Sequence, residues 1–100
     1  MCPYFPQVQT KLEITTSAQL KDSPGHMLKF AVHIKGKKDV WRIWDSANGP
    51  VPGDPGNIVY AAQYDNPRVQ EGCVVELDWN CLEGIYIEVP AGGVCSAEWI

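Results

Sequence analysis

The sequence predicts a single all-β domain, an antiparallel β-sandwich of seven or eight strands. Two observations lead to this class. Apolar residues recur at every second position in several short segments, and no helical stripe interrupts them. Clusters of proline and glycine separate these segments at intervals of about 8–15 residues, which is typical of strands joined by short turns. A jelly roll and an immunoglobulin-like Greek key both satisfy this pattern.

Length and charge limit the range of functions. One hundred residues suffice for one domain, and 45% hydrophobic residues suffice for its core. The net charge of −4 argues against a nucleic-acid partner, because such proteins carry a basic face. No apolar run approaches the ~20 residues that cross a membrane. Because residues 1–6 lack the features of a secretory signal, we expect synthesis in a cytoplasm.

The first half of the chain contains three clear strand signals. Residues 8–14 alternate between apolar and polar positions, following a short arm at 1–7 that we expect to be extended. Residues 21–25 read as a turn around Pro24 and Gly25. The strongest strand signal spans 26–35, and its core-facing side is expected to be Leu28, Phe30, Val32 and Ile34. A hairpin connection at 36–39 leads into a strand at 40–44.

A long loop divides the two halves of the predicted domain, which spans residues 8–100. Residues 45–57 contain three prolines and three glycines, so neither a helix nor a ladder is expected there. Long loops of this kind often contact a partner. Strand signals resume at 58–64, 73–79, 85–89 and 94–100. Trp79 has the same parity as Val75 and Leu77, which predicts a core position.

The cysteines do not form a recognisable motif. Cys2, Cys73, Cys81 and Cys95 include no C-x-x-C pair, which argues against a zinc knuckle or a redox site. Because synthesis is expected in a cytoplasm, we predict free thiols rather than disulfides. Cys2 lies in the arm, where we expect an exposed thiol.

No catalytic or metal-binding constellation is predicted. No serine lies in a G-x-S-x-G elbow, and His26 and His33 lie in a strand among polar neighbours. Glu76 and Asp78 have a spacing that alternation on a wet sheet face produces by itself. The acidic and amide side chains of the long loop are ordinary turn formers. We therefore expect a protein that is not an enzyme and needs no cofactor.

The tryptophans are more informative. Trp41 and Trp44 have opposite parity, so a regular strand directs them to opposite faces. One of the two should then lie outside the core. An outward tryptophan beside Tyr60, Tyr64 or Tyr86 would suit an oligomer contact or a platform for stacking sugars. A contact between protein chains needs no additional polar groups around the ring, so the oligomer contact is the favoured interpretation.

Several segments resemble small β-sandwich proteins encoded by tailed bacteriophages. The similarity is carried by residues 28–32, by Trp44-Asp45-Ser46 and by Gly84-Ile85-Tyr86, the last preceded by Leu82 where that group has phenylalanine. Some of these proteins resemble capsid cement, or decoration, proteins, which bind as small oligomers over the shell. The resemblance therefore implies a structural protein on the surface of a virion.

These observations lead to one expected function and one alternative. We expect a capsid decoration protein that bridges subunits of the major capsid protein and forms a homotrimer. Apolar aromatics and stiff prolines are expected to contact the partners, because preordered segments lose little entropy on docking. The predicted contact residues are Tyr4, Phe5, Trp41, Trp44, Pro50, Pro52 and Pro55. The alternative is a carbohydrate-binding or tail-fibre receptor module that uses Trp41 or Trp44 with Tyr60 and Tyr86.

Overall fold

The computed structural model describes residues 8–100, in which two four-stranded antiparallel sheets enclose one core. Short 3-10 helices at Pro55–Asn57 and Pro67–Val69 lie in the connections. No helix within this range is long and apolar enough to cross a membrane. The strands are β1 (Gln9–Ile14), β2 (Ala18–Lys21), β3 (Gly25–Lys35), β4 (Val40–Trp44), β5 (Ile58–Gln63), β6 (Val74–Cys81), β7 (Ile85–Glu88) and β8 (Gly93–Trp99).

The strand order is that of a jelly roll. The first sheet has the order β1-β8-β3-β6, and the second has the order β2-β7-β4-β5. Strands from the first half of the chain therefore alternate with strands from the second half in both sheets. Successive strands of the first half pair with strands of the second half in reverse order, as in a jelly roll. The predicted sandwich class is confirmed, and this order selects the jelly roll over the immunoglobulin-like alternative.

One strand was not predicted. The seven expected strands are all present, and β2 is the eighth, with four half-buried residues that pair with β7. Ala18 and Leu20 pack against the core and alternate with Gln19 and Lys21, but four residues are too few for this period to stand out in the sequence. What defines β2 as a strand is its pairing with β7, whose paired residues lie 64 or more positions later in the chain.

Aromatic side chains from both sheets form the centre of the core. The ring of Trp41 on β4 stacks on that of Phe30 on β3 with centroids 5.9 Å apart. Tyr60 on β5 meets Phe30 edge-on at 5.8 Å. The indole nitrogen of Trp41 donates to the carbonyl of Lys35 at 3.0 Å, which satisfies its polar atom inside the core.

Bulges in β1 and β3 change which side chains face the core. Two register shifts between β3 and β8 occur between Met27 and Lys29 and between Val32 and Ile34. Each inserts an extra residue and exchanges the two faces. Met27 is therefore fully buried, whereas Ile34 is exposed, contrary to the expected core position. A similar shift after Lys11 in β1 accompanies the exposure of Leu12.

The predicted core position of Trp79 is wrong. Trp79 pairs with buried Met27, but 54% of its surface is exposed. It lies on β6, the edge strand of the first sheet, so there is no neighbouring strand in this sheet to cover its outer side. A single strand's parity does not reveal whether the strand is central or at an edge.

The three cysteines in the described part of the chain are free thiols. Burial raises the pKa of the Cys81 thiol to about 11 and that of the Cys95 thiol to about 12. Thiolates are the reactive form of cysteine, so these two side chains act as small hydrophobic residues of the core. The fourth cysteine, Cys2, lies outside the described residues.

A histidine joins β3 to the irregular part of β6. The Nδ1 atom of His26 lies 2.6 Å from the amide oxygen of Asn80, and its Nε2 atom contacts a carboxylate oxygen of Asp78. Asp78 adopts a left-handed backbone conformation with φ of 50°, which is uncommon for aspartate. The imidazole therefore bridges the two residues on either side of Trp79.

We expect His26 to stabilise the fold below neutral pH. Both ring nitrogens face oxygen acceptors, so both bonds form only with the protonated ring. The hydrogen bonds to Asn80 and then to Asp78 raise the pKa of His26 above its usual 6.5. The stabilisation is complete below the unfolded-state pKa and is lost as the pH rises through the higher folded-state pKa.

Urea unfolding between about pH 5 and about pH 9 measures this contribution. The stability difference between wild type and His26→Gln should shrink as the pH rises. His33→Gln, which changes the other histidine of β3, is the control for loss of an imidazole outside this contact, since His33 lies against Ser96. Identical profiles for wild type and His26→Gln would contradict the expectation.

Candidate functional site

The long loop at residues 45–57 is closed at its base by a reciprocal pair of hydrogen bonds. The amide of Asp45 donates to the carbonyl of Asn57 at 2.8 Å, and the side-chain amide of Asn57 donates to the carbonyl of Asp45 at 2.7 Å. The two ends of the loop are thus held together where β4 ends and β5 begins. This closure limits the conformations open to the proline-rich segment between them.

The Asp45 carboxylate ties the loop to the turn at residues 81–84. It accepts hydrogen bonds from the backbone amides of Leu82 at 2.9 Å, Glu83 at 2.8 Å and Gly84 at 3.3 Å. Successive amides that converge on one carboxylate satisfy donors that the turn leaves without ladder partners. Asn57 strengthens the junction by donating to the Glu83 carboxylate at 2.8 Å.

Gln19 on β2 fixes the next part of the loop. Its side-chain nitrogen contacts the carbonyls of Ser46 at 2.6 Å, Lys21 at 2.9 Å and Ile85 at 3.1 Å. Its side-chain oxygen accepts from the amide of Gly49 at 2.8 Å. One amide group therefore joins the loop to two strands of the second sheet. The loop is preordered by contacts that come from outside its own sequence.

Trp44 lies beneath this loop, on the outer face of the second sheet. It is 4% exposed, yet it does not belong to the core cluster between the sheets. Its indole nitrogen donates to one oxygen of Glu88 at 2.6 Å, and Arg42 donates to the other at 2.9 Å. Pro52 from the loop borders a cavity of about 230 Å³ over these three side chains. Pro52 therefore lies on the outer side of the second sheet, across this cavity from Trp44.

The predicted tryptophan contacts need correction. Trp44 does lie outside the core, as the parity argument requires, but it is covered rather than exposed. Trp41 has no exposed surface. Tyr60 is engaged against Phe30. Neither Trp41 nor Trp44 therefore presents an exposed ring to a sugar or to a partner. Regular alternation cannot show that a loop folds back over the outer face of a strand.

The remaining predicted contact residues divide into three groups. Pro50 and Pro52 are exposed on the loop, so they are accessible to a partner. Pro55 begins the 3-10 helix that leads out of the loop. Tyr4 and Phe5 lie outside the described residues, and their predicted role stays a prediction.

Two exposed apolar side chains near the end of β6 are not among the predicted contact residues. Leu82 is 77% exposed in the turn whose amides Asp45 holds, and Trp79 lies three residues earlier. We use the name loop end for four exposed residues of the loop, of β6 and of the turn that follows it: Pro50, Pro52, Trp79 and Leu82. Leu82 stands among Asn80, Glu83 and Gly84, and a large aliphatic residue in such a polar turn is the signal that sequence reasoning had available.

The described residues offer little chemistry for catalysis. Across residues 8–100, no group of three or more His, Cys, Asp or Glu side chains could hold a metal ion. His33 lies 2.6 Å from the hydroxyl of Ser96 on an exposed sheet face. A serine nucleophile also needs a base held by a third group, and the hydrogen bonds of the His33 side chain within this range end at Ser96.

Comparison of the chain with protein-family models, with curated proteins and with solved structures finds no match in any of the three. The function must therefore be argued from the residues themselves, since a jelly roll supports many unrelated functions.

Proposed function

We propose that this protein is a non-enzymatic structural protein that docks on another protein through its loop end, and that it serves as a capsid decoration protein bridging subunits of the major capsid protein. The observation that carries the proposal is a preordered loop whose base is hydrogen-bonded to the turn that carries exposed Leu82, with exposed Trp79 three residues earlier on β6. Exposed apolar side chains on a rigid support are typical of a docking surface.

Docking through the loop end has a low cost in conformational entropy. Asp45, Asn57 and Gln19 already hold the loop and the neighbouring turn in one arrangement. Docking therefore loses little conformational entropy, and burial of Leu82 and Trp79 contributes directly to affinity. Tryptophan is also enriched among the few residues that dominate binding energy in interfaces. The trimer suggested by the symmetry of decoration sites is part of this proposal.

The first test is the location of the protein. Particles of the phage whose genome carries the gene are purified, and the protein is quantified against the major capsid protein by mass spectrometry. Decoration requires copy numbers in a simple ratio to the capsid subunits. A gene outside any phage genome, or the absence of the protein from the particles, would overturn the proposal.

A substitution at the loop end tests the surface. Leu82→Asp should weaken co-sedimentation with capsids that lack the protein by at least about tenfold, because a charge replaces an apolar contact residue. Ile34→Asp is the matched control, since Ile34 is also an exposed aliphatic residue. Gly25, at the start of β3, pairs with Cys81 next to Leu82, whereas Ile34 lies near the other end of β3. Equal binding of both variants and wild type would exclude the loop end.

A further inference from the structure

The long loop contains an asparagine that is followed directly by a glycine. The chain has four asparagines, and Asn48-Gly49 is the one Asn-Gly pair among them. Such a pair is prone to spontaneous deamidation, because glycine has no side chain to shield its backbone nitrogen from the side-chain amide of the residue before it. Asn48 is exposed on the loop, so water reaches its side chain.

Deamidation at this pair needs no reactant other than water. The backbone nitrogen of Gly49 loses its proton and attacks the side-chain carbonyl carbon of Asn48, which closes a five-membered succinimide ring. The bond from that carbon to the side-chain nitrogen breaks, and the nitrogen takes up the proton and leaves as ammonia. Water then opens the ring at either of its carbonyl carbons, which gives aspartate or isoaspartate. No group is oxidised or reduced.

The fold restrains the nitrogen that would attack. The backbone amide of Gly49 donates to the side-chain oxygen of Gln19 at 2.8 Å. The attack requires this amide to give up its proton and its peptide plane to rotate toward the side chain of Asn48, and the hydrogen bond opposes both changes. Gln19 is itself held, because its side-chain nitrogen contacts three backbone carbonyls. The restraint on Gly49 is therefore a rigid one.

The other three asparagines provide an internal comparison. Asn57, Asn66 and Asn80 are followed by isoleucine, proline and cysteine, respectively. A proline nitrogen carries no hydrogen, and a branched or thiol side chain shields the nitrogen of the other two. Each of the three asparagine side chains is also held in a hydrogen bond. The reaction is therefore expected at Asn48 and not at the other three positions.

We propose that Asn48 is a site of spontaneous deamidation, and that the hydrogen bond from Gly49 to Gln19 sets the rate of this reaction in the folded protein. Both products add one negative charge to the loop. In the isoaspartate product the main chain runs through the former side chain and gains a methylene group, so Gly49 no longer meets Gln19 in the same geometry. The modification thus detaches this part of the loop from β2.

Peptide mass spectrometry of the folded protein, incubated at mildly alkaline pH, measures the rate at position 48. Gln19→Met keeps the size of the side chain but removes the acceptor, so deamidation should be faster by roughly two- to tenfold, the effect of losing one ordinary hydrogen bond. Ser46→Ala is the matched control. It removes the hydroxyl that accepts from the Asn48 amide and leaves the Gly49 amide restrained, so its rate should stay close to that of wild type.

Three outcomes would overturn the inference. They are deamidation of wild type at another asparagine instead of Asn48, a folded wild type that deamidates as fast as the chain unfolded in urea, and a folded Gln19→Met that deamidates no faster than wild type. Circular dichroism verifies that each variant is folded, and if Gln19→Met is not, the comparison with the urea-unfolded chain decides. No capsid is present in this assay, so its result is independent of the proposed function.

Discussion

Replacing Trp41 by alanine is expected to lower the free energy of unfolding by about 3–5 kcal/mol, as is typical for removing a large aromatic side chain from a core. Trp41 is fully buried, stacks on Phe30 and donates a hydrogen bond to Lys35. A domain of this length has a total stability of about 5–10 kcal/mol. The variant should therefore unfold at much lower urea concentration than wild type, or fail to fold at body temperature.

The matched control is Trp79→Ala, which removes the same side chain from an edge strand. More than half of Trp79 is already exposed, so its loss should cost less than about 1 kcal/mol. Both free energies are measured by urea unfolding followed by circular dichroism. Similar values for the two variants would mean that the sheets do not enclose Trp41 as described.

The second large effect is expected at Gly84. A Cβ atom at this position would lie 2.6 Å from the carbonyl oxygens of both Lys21 and Ser46, which belong to the backbone and cannot rotate away. Gly84→Ala should therefore displace the turn at 81–84 from the base of the loop. We expect a loss of about 2–3 kcal/mol and a melting temperature lower by roughly 10–20 °C.

Gly53→Ala is the control within the same region. Gly53 lies in the loop, and a Cβ atom there meets no atom within 4 Å. Its melting temperature should be unchanged or slightly higher, because alanine restricts the unfolded chain. Amide hydrogen exchange at Ser46 and Gly49 provides a local measure. Faster exchange in Gly84→Ala alone supports the junction, and unchanged exchange there would contradict it.

The fold class was accessible from the sequence because strand signals are local. Alternation and turn residues located seven of the eight strands within a few positions. The faces of β1 and β3 were not accessible in the same way, because Leu12, Ile34 and Met27 take their sides from bulges. A bulge is defined by the partner strand, and the partner of β3 lies about sixty residues away.

Only part of the candidate contact surface could be predicted from the sequence. The loop at 45–57 was identified from its prolines, and Pro50 and Pro52 are exposed there. Trp44 was correctly separated from Trp41, but its burial beneath the loop was not foreseen. The exposure of Leu82 was not predicted, because the Asp45 carboxylate that holds its turn lies 37 positions earlier in the chain.

The sequence by itself determined the sandwich class, the long loop and the separation of Trp41 and Trp44 onto opposite faces of β4. These follow from periodicity and from the backbone restrictions of proline and glycine, which act within a few residues. Only the tertiary structure decided the jelly-roll order and the exposure of Trp79 and Leu82. Each of these depends on which distant strand lies alongside, because burial and register are properties of a pair of strands and not of one.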